Sequence, residues 1–344
     1  MSSTPELNVV DVSGDGYSRG LAHGEELRER VHTSIGNVVD ALGGPTEIER
    51  FISETDFLTT IDRLTPDLGQ EIRGIAVGAD LPLHQVLAHN LMDEHWWWST
   101  TTQRREACTL WAMTDPAPVI GQTMDLPSYM DGSQFILRST FVDGSRSAVL
   151  SSAGLIGLCG SNSHGLGICV NALSMLHHSP TGLPVAFVMR GALSQSNTTA
   201  AREFITSVPH ASGQHYAVVG SDASGQITAT GIECSAGGAV NSSGTASQFG
   251  HTNHPIVTTD IDPEVTTAMS STHARFDVIT GAGITSADDL ASTLHDRTGP
   301  ICVEREDTGT WMTFGAIVTD LSTGVMRYCL GPPTQSQWQT VTID

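Results

Sequence analysis

The hydrophobic pattern changes near Cys108, and this change constrains the fold more than any other feature of the chain. From Tyr17 to about Leu42, apolar residues recur at steps of three and four, which predicts an amphipathic helix. Similar patterns predict further helices at about 46–63, 65–77 and 82–92. From Cys108 onward, strand-length apolar runs replace this pattern. The sequence therefore predicts a mainly helical segment, 1–107, followed by a segment rich in strands, 108–344.

Turn signals such as Asp143-Gly144 separate the apolar runs after Cys108, which is typical of strands. The predicted strands after Cys108 are 108–114, 118–125, 134–142, 146–153, 155–160, 166–173, 215–220, 226–233, 311–319 and 323–330, with 238–241 and 247–251 as weaker candidates. A short strand is also predicted at 8–12, before the helical segment. Helical patterns interrupt them at 185–193, 198–205, 263–280 and after Ser286. This order predicts an α+β fold with helices outside packed sheets.

Two glycines lie one turn apart inside the first predicted helix. Gly20 and Gly24 share one helix face. A glycine within a helix costs about 1 kcal/mol relative to alanine. We therefore expect this face to pack closely against another backbone.

The charged residues exclude several functions. All 16 basic residues are arginines, and 37 acidic residues give a formal net charge of −21. A chain without lysine cannot form a Schiff base or supply the lysine of a phosphate-binding loop, and it has no basic face for nucleic acid. The histidine pairs His177-His178 and His251/His254 belong to no metal-binding motif. We therefore expect neither metal nor cofactor.

The six cysteines form no Cys-x-x-Cys pair, so we expect reduced thiols. Five of them lie in apolar runs and are predicted to be inert: Cys159, Cys169, Cys234, Cys302 and Cys329. The first seven residues do not have the pattern of a signal peptide, and no apolar run reaches membrane-spanning length. These features predict a cytoplasmic protein that does not contact a membrane.

Several stretches match one known family in order and in spacing. They are Gly16-Tyr-Ser-Arg-Gly-Leu-Ala-His-Gly24, Ala107-Cys108-Thr109, Gly121-Gln-Thr-Met-Asp125, Ala153-Gly-Leu-Ile-Gly157, Gly160-Ser-Asn-Ser-His-Gly-Leu-Gly-Ile-Cys-Val-Asn-Ala-Leu173, Pro180-Thr-Gly-Leu-Pro184 and His251-Thr-Asn-His254. Together they resemble the acyl-coenzyme A:6-aminopenicillanic acid acyltransferase family, the C45 group of self-processing cysteine peptidases. The part after Cys108 is more distantly similar to penicillin V acylase and bile salt hydrolase.

The resemblance implies the αββα sandwich of N-terminal-nucleophile hydrolases, with two antiparallel sheets between helices. It also implies that the chain is cut between Ala107 and Cys108, where the family often has glycine before the cysteine. A helical fragment, 1–107, would stay bound to a catalytic fragment, 108–344. A free α-amino group has a pKa of about 7.7–8.0, so the new terminus of Cys108 would act as base for its own thiol.

The same resemblance gives roles to four further residues. Asp125 would hold the new ammonium group and the thiol; the alternative is a turn aspartate. Asn253 matches a side-chain donor of the oxyanion hole, and Asn171 matches a second site asparagine whose backbone or side chain faces the nucleophile. Arg275 matches an arginine that would favour the thiolate; the alternative is an arginine on a helix surface. Asn162 is instead predicted to be a turn residue.

Three consecutive tryptophans, Trp96, Trp97 and Trp98, precede the cysteine. Successive residues cannot share one face of a helix or strand. Their rings either pack between layers or form an apolar or cation-accepting wall of the substrate site. We also assign Thr109, next to the proposed nucleophile, to substrate binding.

These residues predict a self-processing enzyme that forms an acyl-thioester on Cys108. We favour hydrolysis of a small N-acyl or aminoacyl amide over acyl transfer, because Val303 replaces the arginine of the family's Ile-Cys-Arg and no basic patch is available for coenzyme A. Two alternatives stay open: an unprocessed binding protein of the same fold, and a cysteine or serine enzyme of another type. Assembly into a homo-oligomer is also left open.

Overall fold

Two β-sheets stack face to face in the computed structural model, which describes residues 8–99, 108–263 and 271–343. The strands are β1 (Val9–Ser13), β2 (Thr109–Met113), β3 (Val119–Pro127), β4 (Gln134–Thr140), β5 (Arg146–Ser152), β6 (Cys159–Asn162), β7 (Gly167–Ala172), β8 (Gln214–Ser221), β9 (Ile227–Ser235), β10 (Gly238–Asn241), β11 (Gln248–His251), β12 (Trp311–Asp320), β13 (Val325–Cys329) and β14 (Gln339–Thr342). The helices are α1 (Gly16–Glu26), α2 (Arg28–Ala41), α3 (Pro45–Glu54), α4 (Phe57–Leu64), α5 (Pro66–Ala79), α6 (Leu83–His89), α7 (Met92–Trp98), α8 (Val185–Leu193), α9 (Thr198–Ser207), α10 (Thr272–Gly281) and α11 (Ala287–Leu294).

The first sheet has the strand order β1-β4-β5-β6-β7-β8-β9-β10, and the second has the order β11-β2-β3-β12-β13-β14. The predicted α+β arrangement of two sheets and outer helices is confirmed. The prediction that both sheets are antiparallel is wrong at one edge, because β1 pairs with β4 in parallel, with Val9 opposite Ile136. Since β1 precedes the helical segment, no hairpin imposes an antiparallel pairing on it.

Helices cover the outer face of each sheet. Helices α8 and α9 pack on β6–β9 of the first sheet, while α10 and α11 pack on the second sheet. The N-terminal helices pack beside β1, and their apolar side chains form one continuous core with those of both sheets. The predicted fragment 1–107 is therefore integrated with the strands wherever the structure describes it.

Two predicted helices are each broken into two. The predicted helix 17–42 is interrupted at Leu27, and the predicted helix 46–63 is interrupted at Thr55, which is extended. The tryptophan run is itself helical and forms α7. Of the predicted helix 263–280, residues 264–270 lie outside the described part of the chain, and the described part forms α10.

One predicted strand, 155–160, is mostly a loop. Gly154 has a φ of +96° and Gly157 a φ of +142°, which side-chain-bearing residues rarely adopt. Strand β6 consequently begins only at Cys159. The strand β14, which closes one edge of the second sheet, was not predicted.

The glycine face of α1 packs directly on α5, as predicted. A Cβ atom added to Gly20 would lie 2.0 Å from the carbonyl oxygen of Glu71, and one added to Gly24 would lie 2.5 Å from that of Ile75. Glycines of α5 approach α1 in the same way, since a Cβ at Gly74 would lie 2.3 Å from the carbonyl oxygen of Tyr17. The two backbones therefore approach each other more closely than side chains allow.

We predict that Gly20→Ala lowers the free energy of unfolding by about 1–3 kcal/mol or more, because its methyl group would force the two backbones apart. Gly36→Ala in α2 is the matched control, since a Cβ there meets no heavy atom within 4 Å. We expect that control to be neutral or stabilising by up to about 1 kcal/mol. Denaturant unfolding of both variants checks this, and equal stability of the two would contradict the packing argument.

Candidate active site

A cavity with mainly apolar walls lies beside Cys108. The helical segment contributes residues around α6 and α7 to its wall, including Asn90, Asp93 and Trp96. Strands of both sheets and helix α8 contribute the rest. The cavity is therefore built jointly by the segments on either side of Cys108.

The cavity occupies a gap in the first sheet. Strands β6 and β7 pair only at Gly160–Ile168 and Ser161–Gly167. Farther along β7, Val170 and Ala172 line the cavity. The side chain of Gln122, from the second sheet, accepts the N–H of Val170 at 2.8 Å and donates to its carbonyl oxygen at 3.1 Å. A buried amide thus satisfies the backbone where the sheet opens.

The loop 153–158 forms the opposite side of this gap, and the helical segment holds it. The Asn90 side chain donates to the carbonyl oxygen of Gly154 at 2.8 Å and accepts from the N–H of Ile156 at 2.9 Å. The N–H of Gly154 also donates to Nε2 of His23 at 3.1 Å. Burial lowers the pKa of His23 to about 4, which keeps the imidazole neutral and able to accept this bond.

The backbone of Cys108 is held on both sides. Its N–H donates to Oδ1 of Asn253 at 2.9 Å, and its carbonyl oxygen accepts from Nη1 of Arg275 at 2.5 Å. The thiol lines the cavity, with Sγ 3.3 Å from the thioether sulfur of Met124 on the neighbouring strand. Residue 108 is therefore positioned by contacts from two distant parts of the chain.

Arg275 and Asn253 are linked to each other as well as to Cys108. Arg275 is fully buried and donates to Oδ1 of Asn253 at 2.9 Å and to Oγ1 of Thr109 at 3.0 Å. The alternative of a surface arginine is therefore wrong. The amide nitrogen of Asn253 donates to the carbonyl oxygen of Ala172 at 3.0 Å, at the edge of the cavity.

Asp125 lies within β3 and lines the cavity, so the alternative of a turn aspartate is wrong. Its Oδ1 accepts from the hydroxyl of Thr313 at 2.6 Å, while Oδ2 has no hydrogen-bond partner among the described residues. Burial raises the pKa of Asp125 to about 7, although the Thr313 hydrogen bond and the charge of Arg275 oppose this rise. The carboxyl group is thus set to exchange a proton near neutral pH.

The side chain of Asn171 does not line the cavity. It alternates with Val170 and Ala172 along β7, so it points to the other face of the strand. There it is buried opposite His215, and neither its amide oxygen nor its nitrogen has a partner among the described residues. Any role at the nucleophile would therefore have to come from its backbone.

The four predicted substrate-binding residues do not all lie at the cavity. Thr109 is fully buried and bonded to Arg275, away from the cavity lining. Trp96 lines the cavity, whereas Trp97 stacks on His178 with ring centroids 5.2 Å apart. Trp98 packs against other aromatic rings and donates to a carboxylate oxygen of Glu54. Of the three tryptophans, the structure therefore brings only Trp96 to the cavity.

Two other predicted residues have different outcomes. Asn162 organises the turn after β6, where its Oδ1 accepts the N–H groups of His164 at 3.0 Å and Leu166 at 3.1 Å. Ala107, the residue before the predicted cut, lies outside the described residues. The cut itself therefore stays a prediction.

Two residues that support the site were missed from the sequence. Thr313 bonds Asp125 and is itself fixed by the N–H of Val303 at 2.9 Å. The buried carboxylate of Glu233 accepts a hydrogen bond from His251 and several from the backbone of residues 256–258. It thereby anchors the segment that carries Asn253. Neither residue stands in a recognisable motif, because each contacts its partner only through the folded sheets.

The described residues contain no group of three or more His, Cys, Asp or Glu side chains arranged to hold a metal ion. Among the helices of the described part, none is long and apolar enough to cross a membrane.

Comparison with known proteins identifies the family of this chain. The family model described as acyl-coenzyme A:6-aminopenicillanic acid acyl-transferase matches residues 112–335, which is more than half of the chain. The chain therefore belongs to this family, and the resemblance found in the sequence is confirmed.

One relative is the 40 kDa form of acyl-coenzyme A:6-aminopenicillanic-acid-acyltransferase from Emericella nidulans. It is 25% identical over 219 residues, and the match spans 61% of this chain and 60% of the relative. Penicillin V acylase from Agrobacterium tumefaciens is similar in structure, with 14% identity and a TM-score of 0.45 over 69% of this chain and 86% of that chain. A variant of conjugated bile acid hydrolase from Clostridium perfringens has 12% identity and a TM-score of 0.43 over 69% and 92%.

We predict that Asp125→Asn stabilises the protein at alkaline pH. The unfolded carboxyl loses its proton near pH 3.9 and the folded one near about 7, so the native chain loses stability as pH rises between these values. The asparagine variant lacks this cost. Its advantage should therefore grow by about 2–3 kcal/mol between about pH 5 and about pH 8.5.

Denaturant unfolding at both pH values measures this difference. Asp40→Asn, on the exposed face of α2, is the control and should show no such trend. If the advantage of Asp125→Asn stays constant with pH, the buried carboxyl does not have a raised pKa.

Proposed function

We propose that the protein is a self-processing N-terminal-cysteine enzyme that cleaves the amide bond of a small N-acyl or aminoacyl substrate. The observation that carries this proposal is the fixed backbone of Cys108 between Asn253 and Arg275, with its thiol and Asp125 facing one cavity. A nucleophile and a carboxylate at one cavity, with a buried guanidinium that holds the nucleophile, are the groups such chemistry needs.

Processing begins when the thiolate of Cys108 attacks the carbonyl carbon of Ala107. A C–S bond forms, the C–N bond breaks and the α-nitrogen takes up a proton. Water then hydrolyses the thioester, which releases the carboxylate of Ala107 and restores the thiol. The bond from Arg275 to the carbonyl oxygen of Cys108 supports this step because it fixes the main chain directly after the scissile bond.

Turnover uses the new α-amino group as base. It takes the thiol proton while the thiolate attacks the amide carbonyl of the substrate, and it then protonates the leaving amine. The second oxygen of Asp125 is the acceptor we assign to the ammonium form. The amide of Asn253 has two N–H groups and bonds Ala172 with one, so we assign the other to the oxyanion.

The acceptor that resolves the acyl-thioester is water, an amine or a thiol such as that of coenzyme A. We favour water, because the cavity wall in the described residues includes no arginine that would bind the phosphates of coenzyme A. Acyl transfer stays the second candidate, and the name of the Emericella relative favours it.

The helical fragment stays bound after the cut in this proposal. Its strand β1 pairs with β4 along five residues, from Val9–Ile136 to Ser13–Thr140. Residues before Cys108 also share the core with the later strands and line the cavity. Loss of this fragment would expose apolar surface and remove one wall of the site.

We predict that the purified protein consists of two fragments whose masses correspond to 1–107 and 108–344. Cys108→Ala should stay at full length, because no other thiol lies at the scissile bond. Cys302→Ala is the control, since this half-buried thiol hydrogen-bonds Thr334 and does not line the cavity. Intact-mass spectrometry reads out all three proteins. A full-length native chain, or cleavage of Cys108→Ala, would overturn self-processing.

We predict that Arg275→Lys slows both cleavage of the chain and substrate turnover by about 10–100-fold, since lysine cannot reproduce the fork that joins Cys108, Thr109 and Asn253. The loss should appear in kcat rather than in KM, because Arg275 holds the nucleophile and does not line the cavity. Arg202→Lys on the exposed face of α9 is the control. A change confined to KM would contradict this role.

A further inference from the structure

Helix α10 begins with a threonine whose hydroxyl group ties the helix to the segment that carries Asn253. The hydroxyl oxygen of Thr272 accepts the N–H of Asn253 at 3.0 Å, and the hydroxyl donates to Oγ1 of Thr252 at 2.9 Å. In return, the hydroxyl of Thr252 donates to the carbonyl oxygen of Thr272 at 3.0 Å. Both threonines are buried. We name these three hydrogen bonds the threonine clamp.

An imidazole adds to the threonine clamp. Nδ1 of His254 lies 3.0 Å from the hydroxyl oxygen of Thr272 and 3.2 Å from that of Thr252. The single hydroxyl group of Thr272 therefore contacts three consecutive residues, 252–254.

Thr272 and Arg275 hold Asn253 from the same helix. Thr272 bonds the main chain of Asn253, while Arg275, one helical turn further along α10, donates to its Oδ1 at 2.9 Å. The same oxygen accepts the N–H of Cys108, and Arg275 bonds the carbonyl oxygen of Cys108. Thr272 thus fixes the two groups that hold Cys108 relative to each other, although it does not line the cavity.

The other anchors of this segment bond the neighbours of Asn253. Strand β11 ends at His251, which lies opposite Leu110 of β2, and Glu233 bonds His251 and the backbone of residues 256–258. The N–H of Asn253 lies between these anchors and is bonded by Thr272. Loss of the hydroxyl would leave a buried N–H without its acceptor, which favours movement of the main chain at Asn253.

We propose that Thr272 is a positioning residue, whose hydroxyl aligns Asn253 with Arg275 so that Cys108 is oriented for attack. It acts on cleavage of the chain and on turnover alike, because both steps use the same thiol. This inference rests on the proposed function, since it takes Cys108 as the nucleophile.

The test uses p-nitrophenyl acetate, an activated ester that acylates a reactive thiol. The thiol proton of Cys108 passes to the α-amino group and the sulfur attacks the ester carbonyl carbon. A C–S bond forms, the C–O bond breaks and p-nitrophenolate leaves. Its absorbance gives the rate constant at saturating ester and the ester concentration at half that rate, and peptide mapping by mass spectrometry locates the acetyl group.

Thr272→Val removes the hydroxyl and keeps a similar shape. We expect the saturating rate constant to fall about tenfold, with the half-saturating concentration changed by less than about twofold, because Thr272 does not line the cavity. Thr272→Ala also lacks the hydroxyl and should show the same loss. Thr272→Ser keeps the hydroxyl and should retain the rate constant within about threefold.

Thr60→Val in α4 is the matched control. It removes another buried threonine hydroxyl, which donates to the carbonyl oxygen of Thr181 at 2.9 Å and lies outside the cavity lining. This variant should keep the rate constant of the parent protein. Thermal unfolding shows that each variant is folded and what each substitution costs in stability.

The proposal fails if Thr272→Val or Thr272→Ala is acetylated at the rate of the parent, or if Thr272→Ser or Thr60→Val loses as much as Thr272→Val. A change confined to the half-saturating concentration also overturns it. Failure of the proposed function is distinct, because it appears in the parent as an uncut chain or as a Cys108 that takes up no acetyl group. A cut and acetylated parent with an unaffected Thr272→Val variant rejects the role of Thr272 alone.

Discussion

The buried carboxylate of Glu71 joins the helical layer to the wall of the cavity. It accepts hydrogen bonds from Arg19 of α1 at 2.8 and 3.2 Å and from Arg190 of α8 at 3.2 and 3.3 Å. Arg190 also donates to the carbonyl oxygen of Ile156, within the loop that borders the cavity. Because each of these charges is almost fully buried, removal of the Glu71 carboxylate would leave Arg190 without an ion-pair partner among the described residues, at a cost of about 3–5 kcal/mol. Arg19 would keep its ion pair with Asp67 at 2.6 Å.

The glycine contact between α1 and α5 explains how these charges meet. Gly20 lies against the carbonyl oxygen of Glu71 itself, so the close approach of the backbones brings the neighbouring Arg19 side chain onto the Glu71 carboxylate. A wider separation of the helices would lengthen this ion pair and weaken it. The same approach aligns α5 so that Glu71 can reach α8. The close packing of α1 on α5 therefore also helps to fix the position of the loop 153–158 beside the cavity.

The sequence predicted the parts of this protein that depend on local pattern. The change of period at Cys108 predicted the two kinds of layer, and family motifs led to Cys108, Asp125, Asn253 and Arg275. It did not predict the gap between β6 and β7, because positive φ angles at glycines in the loop 153–158 are not visible in an apolar run that resembles a strand. The interruption of the first helix at Leu27 carries no Pro or Gly signal either.

Contacts across long separations were also beyond local reasoning. Thr313 meets Asp125 over 188 residues because β12 and β3 are neighbours, with Thr313 opposite Asp125 in register. The tryptophans illustrate the same limit. The helical or strand period of the sequence shows only that the three rings point in different directions. Which ring lines the cavity depends on how α7 packs, and in the structure it is Trp96.

The oppositely charged side chains of Arg275 and Asp125 lie in the same site without forming an ion pair with each other. Arg275 donates its hydrogen bonds to Cys108, Thr109 and Asn253. Asp125 instead accepts a hydrogen bond from the neutral hydroxyl of Thr313. A direct ion pair would hold the carboxyl group ionised at a low pKa. Separation instead leaves burial as the dominant influence, so the pKa of Asp125 lies at about 7. In the proposed mechanism, a neighbouring ammonium group at the new terminus would lower this pKa again and favour the ionised carboxyl. The burial that destabilises the carboxylate of Asp125 would therefore make it a stronger partner for that ammonium group.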